Sequence, residues 1–471
     1  MPLNIAHKQT IRNKYQSNMT RVWLQAWHGL SSASLLLLIA SFSTTYYKGT
    51  IDVSAGRLQP EFGNILLYVS DIFLVGVVAS WIIGQVSHPE RRIRLTPWGL
   101  SFSLIILAVW GTLSLLWSRA LPLTAGFALR LWLLLALYLL MRETSLRLRF
   151  WIEQIFIVIG IVQALVGLGQ FLLQHQVGLA WAGELVRDAS IPGAIVVQVE
   201  DRLWLRAAGL TSSPNALGAL LSVAAIVLLG RYLDHKTTSF TRQLLQIAGI
   251  LLLTAGVLAT FTRAAWGGMA IGFALSFVAS LYSGDSLVRR RMVKVVLCLL
   301  LVMFVVIATY WPLFKVRFSG TVALFAPEAS TPNDTEQKNI GQRTYYHNTA
   351  LALWRLHPWL GVGLANSSLA VLLDFNTPPD QGAAPVHSIP FLLLVELGPA
   401  GLLCWMGVAG TALNISWRRR STLIRHPMRM AWSAALFALL FIGCFDHHFL
   451  TYQQGRVLLW MTMGLWAAEM G

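Results

Sequence analysis

Charged residues are scarce in this sequence of 471 residues: they make up 12% of it, whereas hydrophobic residues make up 56%. The mean hydropathy is +0.61. Soluble globular domains do not have this composition, so the chain is expected to be a polytopic membrane protein. Cysteine is also rare, and Cys298, Cys404 and Cys444 all lie inside apolar runs, which excludes a disulfide framework and a cysteine-based metal site. The sequence also has no Walker-type loop, zinc-binding helix or nucleophile elbow.

Long apolar runs, in contrast, are abundant, and they predict an all-α protein with about twelve transmembrane helices in a single integral membrane domain, residues 1–471. The runs lie near 29–46, 65–84, 97–117, 121–141, 150–172, 215–233, 244–262, 264–283, 293–312, 389–412, 430–446 and 455–470. The first is read as a retained anchor and not as a cleaved signal peptide. An even number of crossings places both termini on one side of the membrane.

The distribution of basic residues predicts which side that is. The N-terminal segment and every second loop together hold more than half of the 36 lysines and arginines. By the positive-inside rule, these loops and both termini are cytoplasmic. The net charge of +16 is therefore largely a consequence of topology, and no nucleic-acid partner is expected.

Two long segments, 173–214 and 313–388, fall on the opposite, external side and are rich in polar and turn-forming residues. Loops of that size are usually functional or disordered. In the second segment, Tyr345–Leu356 has the apolar spacing of an amphipathic helix, and Pro358 and Gly361 follow as helix stops. We expect this helix to cap a cavity at the membrane surface.

Three polar side chains are predicted to meet at the external face. Arg206 precedes the sixth span, Arg263 lies in the turn between the seventh and eighth, and His387 opens the tenth. Taken singly, each has a structural explanation, such as an arginine that extends to the lipid headgroups. Together they suit one chemistry, because guanidinium groups bind diphosphate and a histidine can take a proton from an attacking hydroxyl. A substrate that places a diphosphate there is a polyprenyl-diphosphate-linked sugar.

Ser388 and Asn215 lie next to these residues. Ser388 is predicted to cap the helix that follows His387, and Asn215 is predicted to form a turn or cap before the sixth span. Counted as one regular helix, Gly398 lies beneath His387 and Gly401 lies within ~40° of the same face, which predicts a strip for close helix packing.

Other polar residues are expected to be structural. Glu396 points away from the His387 face, which favours a packing or network role. Asp446, His447 and His448 start an external turn; a metal site is conceivable there, but solvation at the membrane interface is favoured.

The stretch from His387 resembles a known signature. His387-Ser388, nine residues, Gly398, two residues and Gly401 are similar to the signature of bacterial O-antigen ligases. Three further stretches resemble the wider O-antigen ligase and polymerase superfamily: the ten residues from Arg206 to Asn215, Thr260-Phe261-Thr262-Arg263-Ala264, and the eight residues from His357 to Leu364.

The resemblance implies a C-type glycosyltransferase (GT-C) fold with twelve helices and a large periplasmic loop before the tenth. It implies a bacterial inner-membrane enzyme, surrounded by membrane lipid, that transfers O-antigen from undecaprenyl diphosphate to lipid A–core. Inversion at the anomeric carbon, a periplasmic active site and no cofactor or metal are expected with it. Arg206 and Arg263 match the arginines that bind the diphosphate, and His387 matches the essential histidine and candidate general base. One departure is Thr262-Arg263-Ala264, where the family usually has Ser-Arg-Gly.

Three other functions stay open at this point. An O-antigen polymerase or a protein O-oligosaccharyltransferase would use the same lipid-linked donor. A twelve-span transporter is the alternative from another class, but it would be expected to have inverted repeats and ionisable residues near the bilayer midplane.

Overall fold

The computed structural model describes residues 29, 31–53, 58–87, 93–191, 194–234, 239–325, 334–375 and 383–470. Most of the basic N-terminal segment and parts of the 313–388 segment used in the topology prediction lie outside these residues. The described chain is mostly helical, as expected for a polytopic membrane protein. Its helices are α1 Ser31–Ser41, α2 Pro60–Gly63, α3 Val69–Ser87, α4 Trp98–Leu113, α5 Leu121–Arg142, α6 Leu146–Leu173, α7 Pro214–Asp234, α8 Phe240–Ala259, α9 Arg263–Tyr282, α10 Ser286–Thr309, α11 Trp311–Phe325, α12 Asp334–Leu356, α13 Ser367–Asp374, α14 Ile389–Arg418, α15 Arg420–Arg425, α16 Pro427–Phe445, α17 His448–Thr451 and α18 Gln453–Met470.

The described part of the chain has 10 helices that are long and apolar enough to cross a membrane, and they match the second to eleventh predicted spans. The predicted count of twelve is not confirmed. The first predicted span contains only the short helix α1 within the described residues. The last is α18, which begins Gln453-Gln454 and carries Arg456 and Glu469, so it is less apolar than the others. Almost all of α18 is buried against other helices, mainly α5, α17 and α16, so it needs little lipid-compatible surface.

Burial separates a central helix from peripheral ones. In an apolar stretch of 18 residues, 94% of the residues of α7 are buried, whereas only 17% of those of α10 are. Helix α7 packs against α8, α9 and α16, which places its first turn, beginning at Pro214, in the middle of the bundle. The side chains that this first turn contacts therefore come from several helices at once.

Two antiparallel β-hairpins were not predicted from the sequence. Strands β1 Tyr47–Asp52 and β2 Asn64–Tyr68 form the first, and β3 Val196–Val199 and β4 Arg202–Leu205 form the second. The second hairpin lies within the 173–214 segment and ends immediately before Arg206. Within its described residues, the 313–388 segment holds most of α11 and all of α12 and α13, and α12 begins eleven residues before the predicted start at Tyr345.

Helix α14 is broken at Gly398, which has φ 67° and ψ −164° and is followed by Pro399. Proline has no backbone N–H, so the carbonyl of Val395 lacks its usual helical partner. The segment after α12 supplies a replacement: the amide of Val362 donates to Val395 at 3.0 Å, and that of Gly363 donates to the carbonyl of Glu396 at 2.9 Å.

The prediction of a glycine strip for helix packing is therefore wrong, because it assumed a continuous helix. A Cβ at Gly398 would lie 2.7 Å from the carbonyl carbon of Trp359, so the glycine admits the backbone of the loop after α12. Glu396 does have the network role that was expected: its carboxylate accepts hydrogen bonds from the amide of Ala365 at 2.8 Å and the hydroxyl of Ser367 at 2.7 Å.

Candidate active site

The turn between α8 and α9 positions Arg263 as the first residue of α9. Phe261 has a positive φ of 47°, which is rare for a bulky residue and indicates backbone strain. The strained turn directs two carbonyl groups, those of Thr260 and Phe261, toward arginine side chains. Nε of Arg206 donates to Thr260 at 2.7 Å, and Nε and Nη2 of Arg317 donate to Phe261 at 3.1 and 2.8 Å.

The loop that carries Arg206 is fixed by two glutamines of α6. Gln170 accepts hydrogen bonds from the amides of Ala208 and Gly209, and Gln163 accepts one from the amide of Leu210. Both glutamines are buried, and their hydrogen bonds fix the backbone of this loop. Arg206 itself is buried, and its Nη2 donates to Asn215 at 3.1 Å and to Thr262 at 2.9 Å.

Asn215 joins two parts of the site. Its amide oxygen accepts from Arg206 and from the hydroxyl of Thr262, and its amide nitrogen donates to the carboxylate of Asp446. Asn215 is the second residue of α7, and Asp446 directly follows α16. The amide therefore connects the arginine loop to the turn between α16 and α17.

That turn is buried, and the expectation that it is solvated at the membrane interface is wrong. Asp446, His447 and His448 are 3%, 4% and 0% exposed. Nδ1 of His448 lies 3.0 Å from Oδ1 of Asp446. Burial alone would raise the pKa of Asp446, but the neighbouring His448 and His447 hold it well below its usual range. Asp446 is therefore an anion at pH 7.

His387 lies beside this turn. Its ring centroid is 4.8 Å from that of His447 at a steep angle, and it stacks on Tyr346 of α12 at 5.8 Å. The ring is half-buried, and its Nδ1 is buried without a hydrogen-bond partner in the described chain. Burial lowers the pKa of His387 to about 4; Asp446 acts in the opposite direction, and Arg343 lowers the pKa further. At neutral pH His387 is an unprotonated imidazole that can accept a proton.

Arg263 belongs to a closed ring of two ion pairs and one hydrogen bond to a backbone carbonyl. Its Nη1 donates to Glu336 of α12 at 2.8 Å and to the backbone carbonyl of Arg317 at 3.3 Å. Arg317 in turn donates from Nη1 to the other carboxylate oxygen of Glu336 at 2.8 Å. Arg317 and Glu336 are 5% and 2% exposed, so this ring is largely desolvated.

Arg343 is the fourth arginine of the group, and sequence reasoning missed it together with Arg317 and Glu336. It is exposed and makes no hydrogen bond or ion pair with the described residues, and the charged groups of Asp446, Arg263 and Glu336 lie near it. The signal was present in the spacing: Glu336 and Arg343 are seven residues apart and share one face of α12.

We call Arg206, Arg263, Arg317 and Arg343 the arginine cluster. Their four positive charges are opposed by the two carboxylates of Glu336 and Asp446, so these arginines and carboxylates together carry a net charge of about +2. Burial lowers the pKa of Arg206, and the nearby Arg317 and Arg343 lower it further. The repulsion among these cations favours binding of an anion with two negative charges.

The predicted site residues therefore meet, with one difference. Arg206 contacts Asn215 directly and contacts Thr262, the residue before Arg263. Asn215 is linked to His387 through Asp446 and the adjacent His447. Ser388 is the N-cap of α14, but its side chain makes no capping hydrogen bond, so the predicted capping role is wrong. Pro390 lies in the first turn of α14.

Comparison with known proteins supports the resemblance. A search of curated proteins finds no match. A family match covers residues 248–406, which include Arg263, the arginines of α11 and α12, His387 and the part of α14 that contains the break, whereas Arg206 and Asp446 lie outside it. The match supports an enzyme of the O-antigen ligase and polymerase superfamily. The matching family is described as O-Antigen ligase, and this chain is similar to it over residues 248–406.

Proposed function

We propose that the protein is an O-antigen ligase, which transfers O-antigen from undecaprenyl diphosphate to lipid A–core during lipopolysaccharide biosynthesis. One observation carries the proposal: within and beside the matched segment, a cluster of arginines with a net positive charge lies next to a histidine that is neutral at pH 7. The arginines are suited to binding a diphosphate, and the histidine is suited to removing a proton from a hydroxyl group.

In this proposal the arginine cluster binds the diphosphate of the donor. A diphosphate that links a lipid to a sugar carries two negative charges, which match the net charge of about +2 of the site. Arg343 has no protein partner among the described residues, and Nη1 of Arg206 makes no hydrogen bond there. Together with Arg263, these groups would stabilise the negative charge that develops on the departing diphosphate.

His387 acts as the general base. Its neutral ring takes the proton from the acceptor hydroxyl, and the oxygen attacks the anomeric carbon of the donor sugar. The bond between that carbon and the diphosphate oxygen breaks, and the electron pair leaves with undecaprenyl diphosphate. Attack opposite to the leaving group inverts the anomeric configuration, and the cations of the site supply the electrostatic stabilisation without a metal ion. Asn215 orients Arg206, and Ser388 lies beside His387 where its free hydroxyl can contact substrate.

The location of the reaction follows from the charge distribution. With both termini and the arginine-rich loops in the cytoplasm, the arginine cluster and His387 open to the periplasm of an inner-membrane protein. The segments 173–214 and 313–388 are then the periplasmic loops, and α12 of the second caps the site. The GT-C fold remains part of this proposal.

The test is the lipopolysaccharide of a strain that lacks the gene, separated by gel electrophoresis. A ligase predicts core-only lipopolysaccharide with accumulated polymeric lipid-linked glycan, restored by the wild-type gene and not by His387→Gln or Arg263→Ala. Core that carries a single repeat would indicate a polymerase instead. A normal ladder would exclude both and leave a protein O-oligosaccharyltransferase or a transporter.

A further inference from the structure

The contacts of Arg317 differ from those of the other arginines in the cluster. All three of its guanidinium nitrogens are engaged, two by the carbonyl of Phe261 and one by Glu336. It is 5% exposed, so it has little surface left for a substrate. Its place in the site must therefore be explained by what it does to its neighbours.

Both neighbours of Arg317 act on Arg263. Phe261, whose carbonyl Arg317 holds, lies two residues before Arg263 in a strained turn. Glu336, which Arg317 pairs with, accepts a hydrogen bond from Nη1 of Arg263 at 2.8 Å. The backbone at Arg263 and its guanidinium are thus both fixed through one buried side chain.

We propose that Arg317 and Glu336 are a positioning pair, which fixes the guanidinium of Arg263 for the diphosphate and does not itself bind substrate. This inference rests on the proposed function. The charge of the site supports this role. Its net charge of about +2 includes the negative charge of Glu336, so a diphosphate with two negative charges is balanced while Glu336 stays bound to the arginines. Burial raises the pKa of Glu336, but Arg317 and Arg263 outweigh it, so the carboxylate stays ionised beside them.

Arg317→Lys separates orientation from charge. Lysine keeps the positive charge, but one ammonium group cannot reproduce the planar guanidinium that reaches both the Phe261 carbonyl and Glu336. Arg291→Lys is the matched control, because Arg291 is also 5% exposed and donates from Nη1 to a backbone carbonyl, that of Tyr232, near the opposite end of α9 and α10. Glu336→Gln is a second variant that keeps the side-chain volume and removes the carboxylate charge.

The experiment measures binding of farnesyl diphosphate to the full-length protein in detergent by calorimetry. Arg317→Lys and Glu336→Gln are each expected to weaken binding about 10-fold, the effect of losing one charge-assisted hydrogen bond, whereas Arg291→Lys binds like the wild type. If the pair acts through Arg263, Arg263→Lys also weakens binding, and adding Arg317→Lys to it has little further effect.

The outcomes separate this inference from the proposed function. If Arg263→Lys weakens binding and Arg317→Lys does not, the positioning role is wrong and the donor site stands. Tighter binding by Glu336→Gln would show that this carboxylate competes with the diphosphate, which also overturns the inference. If the wild type does not bind, or Arg263→Lys has no effect, the donor site and the positioning pair are both refuted. Additive losses in the double variant would indicate that Arg317 contacts the diphosphate itself.

Discussion

Replacing Gly398 by alanine tests the break in α14, the helix that follows His387. At φ 67° and ψ −164°, the residue occupies a region that is essentially restricted to glycine, and a side chain there costs about 1–3 kcal/mol. The new Cβ would also lie 2.7 Å from the carbonyl carbon of Trp359, a backbone atom that cannot rotate away. Overpacking of this kind costs a further ~1–3 kcal/mol. The expected loss of stability is therefore several kcal/mol.

The measurement is thermal unfolding of the purified protein in detergent. Samples are heated to a series of temperatures, and size-exclusion chromatography measures how much folded protein remains. Gly410→Ala is the control, because Gly410 lies in the same helix with regular helical geometry, and a methyl group added there would meet no atom within 4 Å. Alanine is favoured over glycine by about 1 kcal/mol in a helix, so this variant is expected to be at least as stable as the wild type. Equal melting of Gly398→Ala and the wild type would refute the explanation of the break.

Three further predictions concern the site. Burial lowers the pKa of His387 to about 4, so the unprotonated imidazole persists as the pH falls. The value of kcat/KM should therefore stay level from pH 8 to about 5 and fall toward pH 4. A profile in which kcat/KM has fallen to half its maximum near the usual histidine pKa of ~6.5 would contradict this. Asn215→Leu removes partners of Arg206 and Asp446 and should destabilise the protein by about 1–3 kcal/mol in thermal melts, whereas unchanged melting would show that the bridge is not needed. Arg343→Gln should raise the KM for donor about 10-fold, and Lys338→Gln, an exposed charge change on the same helix, should not; equal effects would indicate a general charge effect.

The meeting of Arg206, Arg263 and His387 could be predicted because charge alternation along the loops assigns each of them to one side of the membrane. The alternation of charge along the loops does not show which of these side chains are in contact. The links between them, through Thr262, Asp446 and His447, depend on helices that are distant in sequence.

The errors have specific physical causes. The angular count along α14 assumed a regular helix, although Gly398-Pro399 is the kind of pair at which helices break. Asp446 and the two histidines after it looked solvated because they start a turn, and only the packing of α2 and α14 around that turn buries them. The packing of α2 and α14 against this turn cannot be predicted from the local sequence.

The largest omission lies in the polar segment before α14. Its pattern indicates mainly a loop with one amphipathic helix from Tyr345, which leaves Glu336 and Arg343 out of the predicted site. A search for charged residues at helical spacing would have found them, because seven residues bring both to the same face. Arg317 had no such signal, since its partner is the carbonyl of a strained turn.

The irregular turn between α8 and α9 explains how cations can be held in a buried site without being neutralised. An arginine fixed only by carboxylates would be oriented, but its charge would be cancelled. In the α8–α9 turn, carbonyl groups orient Arg206 and part of Arg317, and a carbonyl accepts hydrogen bonds without carrying a full negative charge. Because two arginines are held largely in this way, two carboxylates do not balance four guanidinium groups, and the excess positive charge remains available to an anionic substrate.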